Sequence, residues 1–428
     1  MSALQRRPTA ELLELLLLAS RLWAGHRPVD LDEIAELRRE VLCRRHRTWL
    51  DVIPAYAAVA AGAGVGPDAT FEALARELVL DVGVFKSYDG TRVAAGALDH
   101  LDDWLAQVSA LDRPRHEQPV EDLAGWIESL RRQGVAVAVS SGTSGKVAFV
   151  PRDGETRAAL YRNGRFYAHA TELRQGRVAY DCLVLGPRSQ QVGVLAAGYG
   201  LASSARRQHF LTERPLDIAR LEPGQGERWA ATVRSSTDEE LAAASWFLRR
   251  AAAEAAPCVV FGPPATLAEL CGWLLARDGP VPLPPGSLVL TGGGWKAEAA
   301  PEAPLDELVA AALAVPPERR VDSYGATELN VVLSTCTAGR YHVPPLVELV
   351  ILDSELRPVA EPEATGLVAI GDPFTASYCG FLAPGDVATR TTTACPCGLT
   401  GPSLVGAIAR APGYEAKGCA GTIARALA

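Results

Sequence analysis

The amino-acid sequence predicts an α/β protein with a parallel sheet, a helical N-terminal region and a smaller β-rich lobe. From about residue 135 onward, short apolar runs alternate with helix-like stretches at residues 238–254, 264–277 and 305–314. Strands separated by helices of that length usually pair in parallel. Beyond Tyr341 the pattern changes to short strands and turns. We therefore expect three regions: a helical region over 1–130, an α/β core over 131–340, and a β-rich lobe with a short tail over 341–428.

Each region contains recognisable elements. Helical periodicity predicts N-terminal helices at residues 12–23, 31–41, 71–80, 99–111 and 120–133. Short strand-like runs indicate core strands at residues 135–139, 177–185, 258–261, 287–290 and 320–323. Strands of the C-terminal lobe are expected at residues 346–352, 366–370 and 387–392.

Composition excludes several classes of protein. The chain has 428 residues, of which 48% are hydrophobic and 21% are charged, as in an ordinary globular enzyme. Its net charge of −8 and scattered arginine pairs argue against a nucleic-acid partner. The apolar run at residues 12–18 is too short to span a bilayer, and no signal-peptide pattern surrounds it. The nine cysteines, an odd number, indicate free thiols, a metal site or a nucleophile rather than disulfides. We therefore expect a cytoplasmic enzyme.

A Ser/Thr/Gly-rich loop is the most informative segment. It consists of Ser140, Ser141, Gly142, Thr143, Ser144, Gly145 and Lys146. Its glycines allow backbone N–H groups to approach an anion, its hydroxyls add donors, and its lysine adds a charge. The usual nucleoside-triphosphate loop has four residues between its glycines, whereas this one has two, so a kinase or GTPase is excluded. A flexible linker is the alternative, but a linker would not lie between two apolar runs.

Lysine usage singles out the same loop. Only four of the 42 basic residues are lysine: Lys86, Lys146, Lys296 and Lys417. All four lie in glycine-rich or short motif-like segments. Lysines that persist where arginine dominates are enriched at places that need a compact ammonium group.

A second motif, Tyr324-Gly325-Ala326-Thr327-Glu328, follows the strand expected at 320–323. A carboxylate beside a threonine can provide a hard ligand for Mg²⁺ and a hydroxyl donor for a phosphoryl oxygen. Taken alone, the segment is more typical of a turn that opens a helix capped by Thr327.

Four residues could hold a zinc ion. Cys336 and His342 are separated by five residues, and Cys395 and Cys397 form a close pair further along the chain. Three thiolates and one imidazole make a closed tetrahedral zinc set. The one-residue gap between the last two is narrower than usual, and the alternative is four residues without a metal.

Four segments together resemble the adenylate-forming superfamily of acyl and aryl ligases. They are the Ser/Thr/Gly loop, the strand-then-glycine run at 290–296, the Tyr-Gly-x-Thr-Glu motif, and the Gly-Asp element at 383–390, in the order of that superfamily. The resemblance implies that Lys146 and the loop bind ATP, Thr327 contacts the α-phosphate and Glu328 holds Mg²⁺. It also implies a nucleotide pocket whose further residues are Gly292, Gly293, Gly294, Lys296, Tyr324, Gly325, Asp386 for the ribose hydroxyls, and Arg410 as the hinge arginine.

Further segments resemble the acyl-protein synthetase family of the bioluminescence fatty-acid reductase system and the related phenylacetate–CoA ligases. They are the segments at 84–87, 292–296 and 341–345, and the run Lys417-Gly418-Cys419. In that family a cysteine near the C-terminus receives the acyl group from the adenylate, a role that the resemblance gives to Cys419. Lys417 would then favour the thiolate. The resemblance also implies the fold of the adenylate-forming N-terminal domain without the usual C-terminal lid domain, and some relatives carry a zinc site with matching segments.

The sequence thus predicts an AMP-forming ligase that uses ATP and Mg²⁺, with a structural zinc ion as a further candidate. A fatty or aryl carboxylic acid would become an acyl-adenylate with release of pyrophosphate, and then a thioester on Cys419 for an acyl reductase or another acceptor protein. One alternative is an acyl- or aryl-CoA ligase that uses free CoA. Another is a non-catalytic scaffold that binds nucleotide or a partner.

Overall fold

The computed structural model describes residues 4–140, 147–163, 178–188, 195–213, 236–293 and 304–411. Its helices, numbered in chain order, are α1 Thr9–Ala24, α2 Leu31–Val52, α3 Pro54–Gly62, α4 Phe71–Glu77, α5 Gly90–Ala94, α6 Asp99–Val108, α7 Leu123–Arg132, α8 Gly154–Asn163, α9 Ala196–Ala202, α10 Asp238–Ala253, α11 Pro264–Trp273 and α12 Leu305–Leu313. A short 3₁₀ helix covers Val82–Lys86.

The strands of the same residues are β1 Leu80–Asp81, β2 Ala136–Val139, β3 Phe149–Arg152, β4 Asp181–Pro187, β5 Arg207–Thr212, β6 Cys258–Gly262, β7 Leu288–Gly292, β8 Arg320–Tyr324, β9 Leu333–Thr335, β10 Tyr341–His342, β11 Glu348–Leu352, β12 Glu363–Gly371, β13 Phe381–Ala383, β14 Asp386–Thr391 and β15 Ser403–Arg410. Within the described ranges, none of the helices combines the length and apolarity that a bilayer crossing requires.

Most strands belong to one mixed sheet. Its order is β1-β13-β12-β14-β15-β10-β9-β8-β7-β6-β4-β5, with β11 paired to β12. The pairs from β5 through β4, β6 and β7 to β8 are all parallel, which confirms the parallel α/β core. Beyond β8 the pairs are antiparallel, except for β1 with β13. The sheet therefore runs without a break across residue 340, and the β-rich lobe extends the core sheet.

One expected strand lies elsewhere. The run at 135–139, expected in the parallel sheet, pairs instead with β3 in a separate antiparallel two-stranded sheet. Its aromatic surroundings give the physical reason. Phe149 on β3 packs against Trp126 and Tyr88 at ring-centroid distances of 5.8 and 5.0 Å. The hairpin thus packs on the N-terminal region rather than beside strands of the core.

The helices begin and end where local chemistry dictates. Asp30 caps α2 by accepting the N–H groups of Asp32 and Glu33. The sequence pattern missed α3, which begins at Pro54, a residue that is favourable in the first turn of a helix. The helix expected at 71–80 ends at Glu77, because Leu80 and Asp81 pair with β13.

Candidate active site

The Gly-Asp element and the Tyr-Gly-x-Thr-Glu motif meet at one place. The Tyr324 hydroxyl donates a 3.0 Å hydrogen bond to Asp386, although 62 residues separate them. Arg410 lies 3.4 Å from the other oxygen of this carboxylate. Burial raises the pKa of Asp386, while the Arg410 charge and the tyrosine hydrogen bond lower it. Gly385 has φ +88°, a conformation that favours glycine and that sets the turn before the aspartate.

Glu328 lies inside the protein beside several cations. Its side chain is only 6% exposed. Burial raises the pKa of Glu328, opposed by the charges of Lys86, Arg152 and Arg410. A buried carboxylate among cationic side chains is suited to binding a metal ion together with an anionic ligand.

The turn that carries Glu328 is fixed by residues that the sequence pattern did not identify. Arg152 donates to Asn330 Oδ1 at 2.8 Å and to the Thr327 carbonyl at 2.5 Å. The Tyr378 hydroxyl donates to the Glu328 carbonyl at 2.8 Å. Each of these residues stands alone in the sequence without a motif, so composition and spacing gave no signal for them.

Asp372 completes this buried polar network. Its carboxylate accepts the backbone N–H groups of Asn330 and Phe374 at 3.2 and 2.8 Å. Burial raises the pKa of Asp372 to about 6. Thr327 and Glu328 therefore lie on a turn whose flanking residues are held from several directions.

The base of the Ser/Thr/Gly loop is well defined. The Ser140 hydroxyl accepts the Ala148 N–H at 2.9 Å, and the Ser140 N–H donates to the Ala148 carbonyl at 3.2 Å. Ser140 therefore closes the loop at its base. The remaining loop residues lie outside the described ranges: Ser141, Gly142, Thr143, Ser144, Gly145 and Lys146.

The glycine-rich run lies at the end of β7, next to the end of β8. Gly292 pairs with Ser323 on β8, and Gly293 has φ +86°, which favours glycine. Asp322 accepts hydrogen bonds from Thr291 at 2.7 Å and Tyr341 at 2.6 Å, a polar group that the sequence analysis missed. Gly294, Lys296, Lys417 and Cys419 lie outside the described ranges.

The predicted zinc ligands come together from three segments. The ligand atoms of Cys336, His342, Cys395 and Cys397 all lie within 4.8 Å of one another. The Cys336 and Cys395 sulfurs are 3.6 Å apart, and Cys397 Sγ is 3.3 Å from His342 Nε2. In tetrahedral zinc sites with Zn–S distances of about 2.3 Å, neighbouring sulfurs are about 3.8 Å apart. The cluster therefore has nearly the dimensions that a zinc ion requires.

The cluster also joins distant parts of the fold. Trp23, near the end of α1, meets His342 edge-on at 6.2 Å, and its indole N–H donates to the Thr400 carbonyl at 2.8 Å. Trp23 packs together with Leu399 and Cys397. The N-terminal helix thus abuts the loop that carries two of the cysteines.

Five other described cysteines are poor nucleophiles. Burial is the largest cause that raises the pKa of Cys43 to about 11 and that of Cys271 and Cys379 to about 12. Burial also raises the pKa of Cys182 and Cys258. A thiolate is the reactive form, so these side chains remain inert thiols near neutral pH.

One family model matches the C-terminal part of the chain. The model of the acyl-protein synthetase family, LuxE, matches residues 239–428. This segment contains the Tyr-Gly-x-Thr-Glu motif, Asp386 and the Cys/His cluster. No curated protein matches the sequence.

Solved structures identify the fold. An open conformation of 2-hydroxyisobutyryl-CoA ligase, in complex with 2-HIB-AMP and CoA, superimposes with a TM-score of 0.53 at 13% identity, over 88% of this chain and 75% of that one. The same ligase in its thioesterification state gives a TM-score of 0.54 at 14% identity, over 87% and 68% of the two chains. Its postadenylation state gives 0.55 at 13% identity, over 88% and 67%. At these identities the likeness establishes the adenylate-forming fold.

The fold, the family match and the meeting of the motifs agree with one another. Residues 239–428 are similar to the acyl-protein synthetase family, and the chain has the adenylate-forming fold.

Proposed function

We propose that the chain activates a carboxylic acid with ATP and then transfers the acyl group to a thiol. In the first step a carboxylate oxygen bonds to the α-phosphorus of ATP and pyrophosphate leaves, which gives an acyl-adenylate. The observation that supports this most strongly is the meeting of Tyr324, Asp386 and Arg410, from three separate segments, beside the turn that carries Glu328. A scaffold that only bound partners would have no need to keep this set together.

In this proposal each predicted residue has a role in binding or orientation. Lys146 and the loop over 140–145 hold the phosphates, and Thr327 donates to the α-phosphate. Glu328 would hold Mg²⁺, which supplies positive charge to the triphosphate when bound. The fit is chemically reasonable because Mg²⁺ takes oxygen ligands and commonly uses one or two carboxylates together with phosphate oxygens.

The nucleoside would lie between the end of β7 and Asp386. Gly292, Gly293 and Gly294 would let the backbone approach the adenine, with Tyr324, Gly325 and Lys296 around it. The Asp386 carboxylate, an acceptor-only group, suits the two ribose hydroxyls. Arg410 beside Asp386 would orient that carboxylate.

Asp386→Asn is expected to weaken ATP binding about 10- to 100-fold, because one charged hydrogen-bond acceptor contributes about 1.5–3 kcal/mol. Burial raises the pKa of Asp386, so its charged form is lost at a higher pH than that of an exposed aspartate. Wild-type ATP affinity should therefore fall as the pH is lowered, and the fall should be smaller in the asparagine variant, where only the protonation of ATP itself remains. Calorimetric titration between pH 5 and 8 measures both effects. The control is Asp353→Asn, at the turn between β11 and β12, and equal affinities in both variants would contradict the ribose role.

For the second step we propose Cys419 as the acyl acceptor, with Lys417 favouring its thiolate. The Cys419 sulfur would bond to the carbonyl carbon of the adenylate, and AMP would leave with the bridging oxygen. The high pKa values of the five other cysteines support this choice, since each is a poor competitor. The thioester would then pass to an acyl reductase or another acceptor protein. Free CoA as the acceptor is the second candidate, because the matched 2-hydroxyisobutyryl-CoA ligase structures contain CoA.

We further propose that Cys336, His342, Cys395 and Cys397 hold a structural zinc ion. A closed set of four protein ligands leaves no open position for substrate, so the ion would stabilise the fold. It would fasten the loop between β14 and β15 to β9 and β10, and through Trp23 to α1.

The purified protein is therefore expected to contain one zinc ion per chain by elemental mass spectrometry. Cys395→Ser should lose the ion and several kcal/mol of the free energy of unfolding, because binding energy at a structural site contributes to folding. Cys43→Ser, at a partly buried thiol elsewhere, is the control and should change neither quantity. A metal-free wild type whose melting temperature survives Cys395→Ser would refute the site.

The experiment that tests the adenylation step is exchange of labelled pyrophosphate into ATP, with Mg²⁺ and a panel of fatty and aryl acids but no CoA. Exchange that depends on an acid supports reversible formation of an acyl-adenylate and identifies the acid class. A chain that binds ATP but exchanges no label with any acid would favour the scaffold alternative.

A further inference from the structure

The side chain of Arg152 connects two segments that are far apart in the sequence. It is 2% exposed and lies at the end of β3. Its Nε donates to Asn330 Oδ1 at 2.8 Å, and its Nη2 donates to the carbonyls of Thr327 at 2.5 Å and Leu329 at 3.3 Å. The three acceptors lie on both sides of Glu328. One planar guanidinium therefore holds the whole turn.

The hairpin on the other side of this contact is not joined to the large sheet by strand pairing over the described residues. Phe149 packs it on the N-terminal region, and the Asp153 N–H, just after β3, donates to Ser377 Oγ at 2.8 Å. Strands β2 and β3 form their own sheet and share no ladder with the large sheet that carries β8, among the residues that the structure describes. The hairpin leads into and out of the Ser/Thr/Gly loop. Its position relative to the turn at 327–330 therefore depends on side chains, and Arg152 bridges the two directly.

Arginine at this place is not explained by packing alone. In the described part of the chain its Nη1 is buried without a hydrogen-bond partner, and no ion pair to an acid is formed there. The more distant carboxylates of Glu328 and Asp372 offset only part of the cost of a buried charge that lacks a direct ion pair, and an apolar side chain of similar volume would avoid that cost. The fork geometry of the guanidinium, which reaches several acceptors at once, is what a methionine or a lysine lacks.

We propose that Arg152 is a positioning residue of the adenylation site. It sets the distance between the phosphate-binding hairpin and the turn of Thr327 and Glu328, and through that distance it sets how well Mg²⁺ and ATP bind together. The second part of this inference rests on the function proposed above, whereas the first concerns the fold alone.

Two variants separate charge from shape. Arg152→Met removes the charge and the fork, and Arg152→Lys keeps the charge but reaches fewer acceptors. The matched control is Arg320→Met, because Arg320 also donates to backbone carbonyls, those of Val315 and Asp306, at the opposite end of β8. Amide hydrogen exchange, followed by mass spectrometry, reports on the turn without any assumption about activity.

Faster exchange is expected in peptides that cover 325–332 in both Arg152 variants, with β6 and β7 unchanged and with no such effect in the Arg320 variant. Unchanged exchange in the turn of both Arg152 variants would overturn the proposal that Arg152 holds the turn. Should Arg152→Met fail to fold, the comparison rests on Arg152→Lys.

The second readout is the ratio of ATP dissociation constants measured without and with Mg²⁺. A general loss of stability would raise both dissociation constants by the same factor and leave their ratio unchanged. Misplacement of Glu328 would reduce the gain in affinity from Mg²⁺ and so lower the ratio, by about tenfold or more in Arg152→Met and by less in Arg152→Lys. A ratio equal to that of the wild type would overturn the role in the site. If the wild type itself gained no ATP affinity from Mg²⁺, the proposed function would fail. The amide hydrogen exchange result would still decide whether Arg152 holds the turn.

Discussion

Glu328→Gln is expected to reduce acid-dependent pyrophosphate exchange by about 10²–10³-fold or more, the size of effect seen when one preorganised electrostatic group is removed from a site. Glutamine keeps the shape of glutamate but loses the charge that a metal ion needs. The measurement is pyrophosphate exchange at saturating ATP over a range of Mg²⁺ concentrations. Extra Mg²⁺ should restore little of the activity.

The same substitution should not weaken the fold. Burial raises the pKa of Glu328, so the charged form costs free energy in the folded state at neutral pH. A carboxyl whose pKa is raised by folding destabilises the protein above that pKa, and this penalty is lost as the pH falls through the folded pKa. The glutamine variant should therefore melt at the same or a higher temperature than the wild type at neutral pH. Wild-type exchange rates in Glu328→Gln would contradict the metal role.

Cys419→Ser is expected to abolish the acyl adduct on the protein while leaving pyrophosphate exchange intact. A hydroxyl at neutral pH is a far weaker nucleophile than a thiolate, so the serine should form no ester at a comparable rate. Intact-protein mass spectrometry after incubation with ATP, Mg²⁺ and the acid, without CoA, measures the adduct. In the wild type the added mass should equal that of the acyl group and should disappear with hydroxylamine.

Two controls make the result specific. Cys43→Ser should keep the adduct, because burial raises the pKa of that thiol to about 11 and it is not expected to react. Lys417→Met should slow formation of the adduct without changing exchange. A labile adduct that persists in Cys419→Ser would end the relay hypothesis, and release of AMP that needs CoA would favour the CoA-ligase alternative.

The parallel core was predictable because its pattern is local. Strands β6 and β7 are short apolar runs, each followed by a helix or a turn, and this pattern predicts parallel pairing. The hairpin of β2 and β3 was not predictable in the same way. Its apolar residues are as buried as those of the core, but Phe149 packs against Trp126 and Tyr88, and the hairpin pairs with no core strand among the described residues. Burial is visible in a sequence, whereas the identity of the neighbour is not.

In the candidate site, too, some residues could be predicted from the sequence and others could not. The contact of Tyr324 with Asp386 agrees with the shared nucleotide pocket that the family resemblance implies, and the Cys/His cluster agrees with the ligand set proposed from chemistry and spacing. Arg152 and Asn330 could not be found, because each is a single polar residue whose role depends on a contact across some 178 positions. Nothing in the neighbouring sequence distinguishes this arginine from one on the surface.

The most direct test of the central claim is to follow the oxygen of the acid. A carboxylic acid labelled with ¹⁸O in its carboxyl group is incubated with the protein, ATP and Mg²⁺, and the products are analysed by mass spectrometry. If the carboxylate attacks the α-phosphorus and a thiol then displaces AMP, each AMP should carry one ¹⁸O. ADP as the nucleotide product, with the label in inorganic phosphate, would show attack at the γ-phosphorus and would contradict the account.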